Sequence, residues 1–363
     1  MPVEVTFELP YTEWGWKVGF YVAMIGIASG AYLMGYIADI LSQKRNEPSH
    51  GQVAQYGYLA GILGMAIGPP VLLSHLATPF RALMLPMTMT NLGSWMALGT
   101  YLIAGFVLGA FLMFGWTAFG TERPHRRAVA ADGGTDHGTA RAATGDSTAN
   151  GIRGVASRVG LLDLLDTLAD KTRPSETVRL GIGAVFGVLA AGVLVYSAMA
   201  YGSGPTERVA LWDPTFLLPV KILGGLAAGL TVAVGFAAIA NRPVGRTIQN
   251  YSLAASGLLV ATLVAVLAAI TLLPEQLPAA EPAVENLLST HATLFVGGAV
   301  VGGLVVPILL SVGAVVGQRR GALSPAAATG AYVAAAALVV VGKVALALAY
   351  LMAAEFAPLP LPM

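Results

Sequence analysis

The chain has 363 residues, of which 56% are hydrophobic and only 11% charged, with a formal net charge of +1 and a mean hydropathy of +0.72. Soluble domains carry roughly 25% charged residues, so this composition excludes an ordinary water-soluble enzyme and makes a bilayer the solvent. Cysteine is absent and histidines number five; the chain therefore has no disulfide, zinc–thiolate site or iron–sulfur cluster of its own, and its balanced charge gives no footing for nucleic acid as a partner.

A helix needs about 20 apolar residues to cross the hydrocarbon core. Eight stretches qualify, near Trp16–Leu41, Val53–Leu76, Asn91–Phe119, Val178–Tyr201, Pro214–Ala240, Thr247–Leu273, His291–Gly317 and Pro325–Met352. They are solidly apolar rather than alternating, which excludes a β-barrel. Their many Gly and Ala residues suit close helix–helix approach in lipid. An offset of 198 residues lays the first three spans over the fifth, sixth and seventh, with Gly26–Gly30 falling on 224–228. The expected fold is an all-α membrane protein of eight transmembrane helices in two four-helix bundles. Residues 1–119 hold the first three spans, 120–177 a loop, and 178–363 the last five.

Basic residues set the orientation. The side bearing the N-terminus has only Arg81 and Arg208, whereas the other side has fifteen Lys and Arg residues, among them Lys44, Arg45, Arg179, Arg246, Arg319 and Arg320. By the positive-inside rule both termini face outward across a cytoplasmic membrane, and the 120–177 loop lies inside. The first fifteen residues carry Glu4, Glu8 and Glu13 but no basic residue, so the opening span reads as a helix and not a cleaved signal. Within the loop, Ala128–Asn150 lacks apolar periodicity and reads as disordered. Ile152, Val155, Val159, Leu162, Leu165 and Leu168 recur at helical spacing and predict an amphipathic helix on the inner membrane surface, with a dock for a cytoplasmic partner as the alternative.

Polar residues are the informative ones in lipid. No Asp or Glu lies mid-span, which argues against a carboxylate relay; Asp39 is at the cytoplasmic end of the first helix. The outer helix ends instead gather Trp14, Trp16, Lys17 and Tyr21 from the first span, His75 and Arg81 after the second, Asn91 and Trp95 before the third, Tyr196 and Tyr201 from the fourth and His291 before the seventh. Such a set suits a quinone: aromatic walls hold a flat ring, and His or Tyr donates to or relays protons from its two oxygens. Each residue also has a plainer reading. Trp14, Trp16 and Tyr201 are placed as interfacial anchors, Arg81 as a lipid-phosphate ligand and His291 as a helix-end histidine. Lys343 lies deep in the last span, where a lysine is costly and marks function or a carbonyl-satisfied structural role. Lys221 is shallower and reads as snorkelling to the outer surface. Only His75 and His291 are near the membrane, both at helix ends; one haem between them stays open, but the four intramembrane histidines of a two-haem cytochrome are missing.

These residues resemble the NrfD/PsrC family, the integral membrane subunit of polysulfide-reductase-type respiratory complexes. The resemblance rests on Tyr21 with Gly26–Tyr32 in the first span, on the run from His75 to Arg81, on Ser94-Trp95-Met96 with Gly99, on Tyr196-Ser197-Ala198, on Trp212-Asp213-Pro214, on Gly302 through Pro307 and on Gly342-Lys343. It covers nearly all eight spans. Ala77-Thr78 stands where the family motif has Gly-Arg, and Trp and Lys open the first helix where some members place polar quinone ligands. The resemblance implies a menaquinone or other quinone bound on the outer side, with Tyr196 and His75 as its hydrogen-bonding and proton-handling residues. The polar cluster at the outer helix ends adds Tyr21, Arg81, Asn91, Trp95 and His291 as further candidate contacts, and the deep Lys343 another; the resemblance implies no haem, metal or iron–sulfur cluster in this chain. The implied partners are a ferredoxin-like iron–sulfur subunit and a molybdopterin catalytic subunit beyond it, with membrane lipid around the spans. Two other classes compete: a multi-spanning transporter, for which Gly68-Pro69-Pro70 would break the second helix to line a path, and a structural anchor without quinone chemistry.

Overall fold

The computed structural model describes residues 15–45, 47–74, 84, 91–120, 152–202, 209–241 and 244–354. Eight helices are long and apolar enough to cross a membrane, and the described residues contain no strand. The spans run Trp16–Arg45, Pro48–Leu73, Trp95–Ala118, Glu176–Met199, Pro214–Ala240, Arg246–Gln276, Thr293–Arg319 and Pro325–Met352, within a few residues of the stretches expected from hydropathy. Local chemistry sets several of the starts. Asp213 accepts from the Thr215 backbone N–H at 2.8 Å and Pro214 follows at the first helical position. Ser324 accepts from Ala327 N–H at 3.2 Å, again with a proline next. Both satisfy amide donors that a helix leaves orphaned at its N-terminus.

The spans assemble as two rings of the same design. The first touches the second and fourth, and the third closes that ring; the fifth touches the sixth and eighth, and the seventh closes the other. The seam is the crossing of the first and fifth spans, the pair that the 198-residue offset superimposes. A Cβ at Gly30 would overlap the Gly225 backbone, one at Gly225 would press on the Gly26 carbonyl, and one at Gly229 would overlap Gly30 and Ala31. Bare glycine backbones thus allow the two helices to touch main chain to main chain, the packing mode that lipid favours. Gly303 and Gly342 make the same backbone contact between the seventh and eighth spans. The first half of the seventh span, Thr293–Val305, is wound as a π-helix.

Three features depart from expectation. The second helix runs unbroken through Gly68, Pro69 and Pro70, which removes the broken helix that favoured a transport path. The amphipathic segment is two short helices, Ile152–Arg158 and Leu162–Thr172, divided at Gly160, whose φ of +71° an L side chain rarely adopts. Its face is also different: Ala156, Leu162, Leu165 and Ala169 pack on Phe114, Ala118 and Phe119 of the third span, whereas Val155, Val159 and Leu168 are exposed. Arg179, counted among loop bases, lies inside the fourth span with no exposed surface. The reading of Ala128–Asn150 concerns residues outside the described ones.

Candidate functional site

Tyr21 is six residues along the first helix and Tyr196 is four residues from the end of the fourth. At a helical rise of 1.5 Å per residue both lie less than about 10 Å inside the same end of the molecule. The two phenols lie close enough to interact, and only 5% and 9% of the two residues is exposed. The ring of Tyr196 lies against Gly99 of the third span, where any Cβ would overlap it. Trp95 is one turn earlier on the same helix face and half-buried. Three spans thus meet around one phenol pair, and the notch at Gly99 exists because no side chain fills it.

The first two spans are tied at this end by Lys17, whose ammonium donates to the Ser74 carbonyl at 3.0 Å. His75 and Arg81 lie outside the described residues. Asn91 is exposed and serves the turn before the third span: its Oδ1 accepts from Gly93 N–H and its carbonyl from Ser94 N–H, both at 3.0 Å. His291 is half-buried in the turn that enters the seventh span. Its backbone N–H donates to Asn286 and its carbonyl accepts from Phe295; no described contact joins it to the tyrosine pair.

Two residues differ from their sequence reading. Tyr201 is no interfacial anchor. It is fully buried, edge-on to Trp212 with ring centroids 5.2 Å apart, and Trp212 in turn donates its indole N–H to the Tyr350 carbonyl at 2.9 Å. Lys221 does not snorkel. It is 7% exposed, and its ammonium sits over the Tyr201 ring, 4.5 Å from the centroid, as cation–π attraction favours. Trp16, by contrast, is 61% exposed at the first residue of the first span. Lys343 reaches from the eighth span into the notch at Gly224, one turn along the fifth span from Lys221, beside the Thr262 methyl. Its ammonium has no hydrogen-bond partner among the described residues.

A second polar centre at the opposite end escaped the sequence. Arg179 donates to both Asp39 oxygens, at 2.5 and 2.8 Å, and to Glu176 at 3.0 Å. Tyr58 donates to Asp39 at 3.0 Å and Gln43 to Glu176 at 2.8 Å. Nearby, His50 and the Tyr251 hydroxyl are 2.7 Å apart, and Thr247 bonds to Glu47. The available signal was two opposite charges, Asp39 and Arg179, each just inside the same end of its helix; 140 residues of chain separate them.

A bundle of eight spans with buried phenols and ammoniums at one end and a buried ion pair at the other defines an integral membrane protein with a polar, chemically equipped interior. Residues 4–354 match the family described as Polysulphide reductase, NrfD, and the chain belongs to that family. Members are membrane subunits of oxidoreductase complexes and associate with other subunits of those complexes. No curated protein matches the chain.

Proposed function

We propose that the chain is the quinone-reactive membrane anchor of a respiratory complex, exchanging electrons between the membrane quinone pool and an iron–sulfur partner subunit. The observation that carries this reading is the buried Tyr196 ring seated in the Gly99 notch beside Tyr21, where the first, third and fourth spans meet. A quinone offers two carbonyl oxygens on a flat apolar ring, and this site offers phenol donors with aromatic and glycine-backed walls. When bound, a quinol supplies two electrons and two protons.

The protein's own tasks follow from its residues. Tyr196 donates to or accepts from the quinone oxygen, with Tyr21 beside it as a second phenol and Gly99 setting the position of its ring. Trp95 walls the ring. His75 and Arg81, on the segment after the second span, supply a proton-handling imidazole and a positive charge at the same end. The chain has no cysteine, so single electrons leave through a docked partner, a ferredoxin-like iron–sulfur subunit with a molybdopterin subunit beyond it. The excess of Lys and Arg at the other end supports a reading with the tyrosine site and both termini outside the cytoplasmic membrane and the 120–177 loop inside. Titration of the purified protein in nanodiscs with a fluorescent quinol analogue tests the reading. Saturable binding that weakens in Tyr196→Phe and in Tyr21→Phe is the expected result; unchanged binding in both variants would remove the site.

A further inference from the structure

Three arginines meet at the end of the bundle opposite the tyrosine pair, and neither the tyrosine site nor the Asp39–Arg179 pair uses them. Arg246 is the first residue of the sixth span, Arg319 the last of the seventh and Arg320 its cap; all three are exposed. Arg319 crosses to the sixth span, where its Nε donates to Gln249 Oε1 at 3.2 Å and its Nη2 to Asn250 Oδ1 at 2.9 Å. Gln249 is buried and fixed in turn: its Nε2 donates to the Val244 carbonyl at 3.2 Å and to Gln318 at 3.4 Å, and Gln318 accepts from the buried Tyr332 of the eighth span at 3.0 Å. Neutral amides therefore hold the Arg319 guanidinium in one place. Arg246 is four residues before Asn250 and neighbours it on the same helix face. Two positive charges thus converge on one amide side chain, with a third on the residue after Arg319.

No carboxylate balances them. None of the three forms an ion pair among the described residues; Glu47, which reaches the sixth span at Thr247, is bonded there and lies 3.4 Å from His50. Amide oxygens occupy only part of the Arg319 fork, because a guanidinium carries several N–H donors. A phosphate matches such a cluster by accepting from more than one N–H at once. The apolar surface says which kind of phosphate. Along the seventh span Arg320, Val316, Gly313 and Leu309 recur at helical spacing on one face. Val316 and Leu309 are exposed, and a Cβ at Gly313 would meet nothing within 4 Å. Arg320 to Leu309 is about 16 Å of helix, roughly the depth of one leaflet in a hydrocarbon core of about 30 Å. On the sixth span the face of Arg246 and Asn250 continues in the same way through Gly257, Val260 and Val264, all exposed. Positive charge at the end of leaflet-deep apolar stripes is the shape of a lipid, not of a soluble partner.

We infer that Arg246, Arg319 and Arg320 bind the phosphate of an anionic phospholipid whose acyl chains lie along the exposed faces of the sixth and seventh spans. The site is apart from the tyrosine pair and stands independently of the quinone reading. Arg319 is the preset contact, since Gln249 and Asn250 orient it before a lipid arrives; Arg246 and Arg320 add the charge that makes the site selective. A choline headgroup would bring a further positive charge into the cluster, so phosphatidylglycerol is bound in preference to phosphatidylcholine. A lipid seated there braces the sixth span against the seventh at their charged ends.

The test is native mass spectrometry of the full chain in detergent, titrated with phosphatidylglycerol or with phosphatidylcholine of the same acyl chains. Saturable retention of phosphatidylglycerol, at least about tenfold tighter than phosphatidylcholine and indifferent to added inorganic phosphate, is the expected result. Arg246→Gln/Arg319→Gln/Arg320→Gln should lose the preference. Lys44→Gln/Arg158→Gln/Lys171→Gln removes three other exposed bases at the same end and should keep it. Arg320→Gln alone breaks no hydrogen bond of the described residues and should weaken the preference, so the test stands even if the triple variant fails to fold. Equal retention of the two lipids by the native chain, an unchanged preference in either arginine variant, or an equal loss in the control triple would overturn the site. Displacement of the lipid by inorganic phosphate would make a soluble anion the occupant and overturn the lipid assignment.

Discussion

Arg179 grips Asp39 with two parallel hydrogen bonds of 2.5 and 2.8 Å, and neither side chain is more than 1% exposed. The fork of a guanidinium matches a carboxylate in this way, and each charge is affordable in the membrane only because of the other. The pair ties the first span to the fourth within the first ring of helices, and Tyr58 adds the second span to the same carboxylate.

Removing one partner strands the other charge. Asp39→Asn or Arg179→Met alone should destabilise the protein by about 3–5 kcal/mol, read as a lowered thermal midpoint in detergent. The combined Asp39→Leu/Arg179→Met variant should recover much of that loss, because no charge is then buried alone. A double variant as unstable as the sum of the singles would show that the pair is not the coupled unit described.

Gly99 sets the position of the Tyr196 ring. Gly99→Leu should push the ring away and weaken quinol-analogue binding at least about tenfold, equivalent to roughly 1.4 kcal/mol. Gly115→Ala, on the same helix with open space around its Cα, is the control and should bind normally. Equal affinity in both variants would show that the ring position does not matter.

The crossing of the first and fifth spans should tolerate no side chain. Gly30→Val forces two backbones apart and should abolish a monodisperse peak in size-exclusion chromatography. Gly26→Ala meets nothing within 4 Å and should behave as the native chain. A well-folded Gly30→Val variant would contradict the backbone contact.

At the end of the bundle opposite the tyrosine pair, Gly160 divides the two short helices at a φ of +71°. Gly160→Val should cost on the order of 1–3 kcal/mol locally. The expected signature is faster hydrogen exchange across 152–172 with the eight spans unchanged. Unaltered exchange there would show that the left-handed turn is not required.

The eight spans were legible because hydropathy over twenty residues is a strong signal and the bilayer admits few alternatives. Tyr21 and Tyr196 were singled out from their place at the outer helix ends and from the family resemblance, and the fold brings them together. Lys221 was misread because counting residues along a helix gives depth but not the direction a side chain faces. Tyr201 was misread for the same reason: an aromatic at a helix end belongs to the interface unless another element, here Trp212, covers it. The Asp39–Arg179 pair was invisible because each charge, taken alone, is an ordinary helix-end residue. The break at Gly160 had a signal in the glycine itself, overridden by an apolar period that ran through it.

Quinol oxidised at the tyrosine site should feed electrons to a partner's iron–sulfur clusters. The most direct measurement of this transfer is the visible absorbance of those clusters in the purified complex after quinol is added. The native complex should bleach as its clusters are reduced, and the complex carrying Tyr196→Phe with His75→Ala should not. Bleaching at the native rate in that variant, or none in the native complex, would contradict the claim.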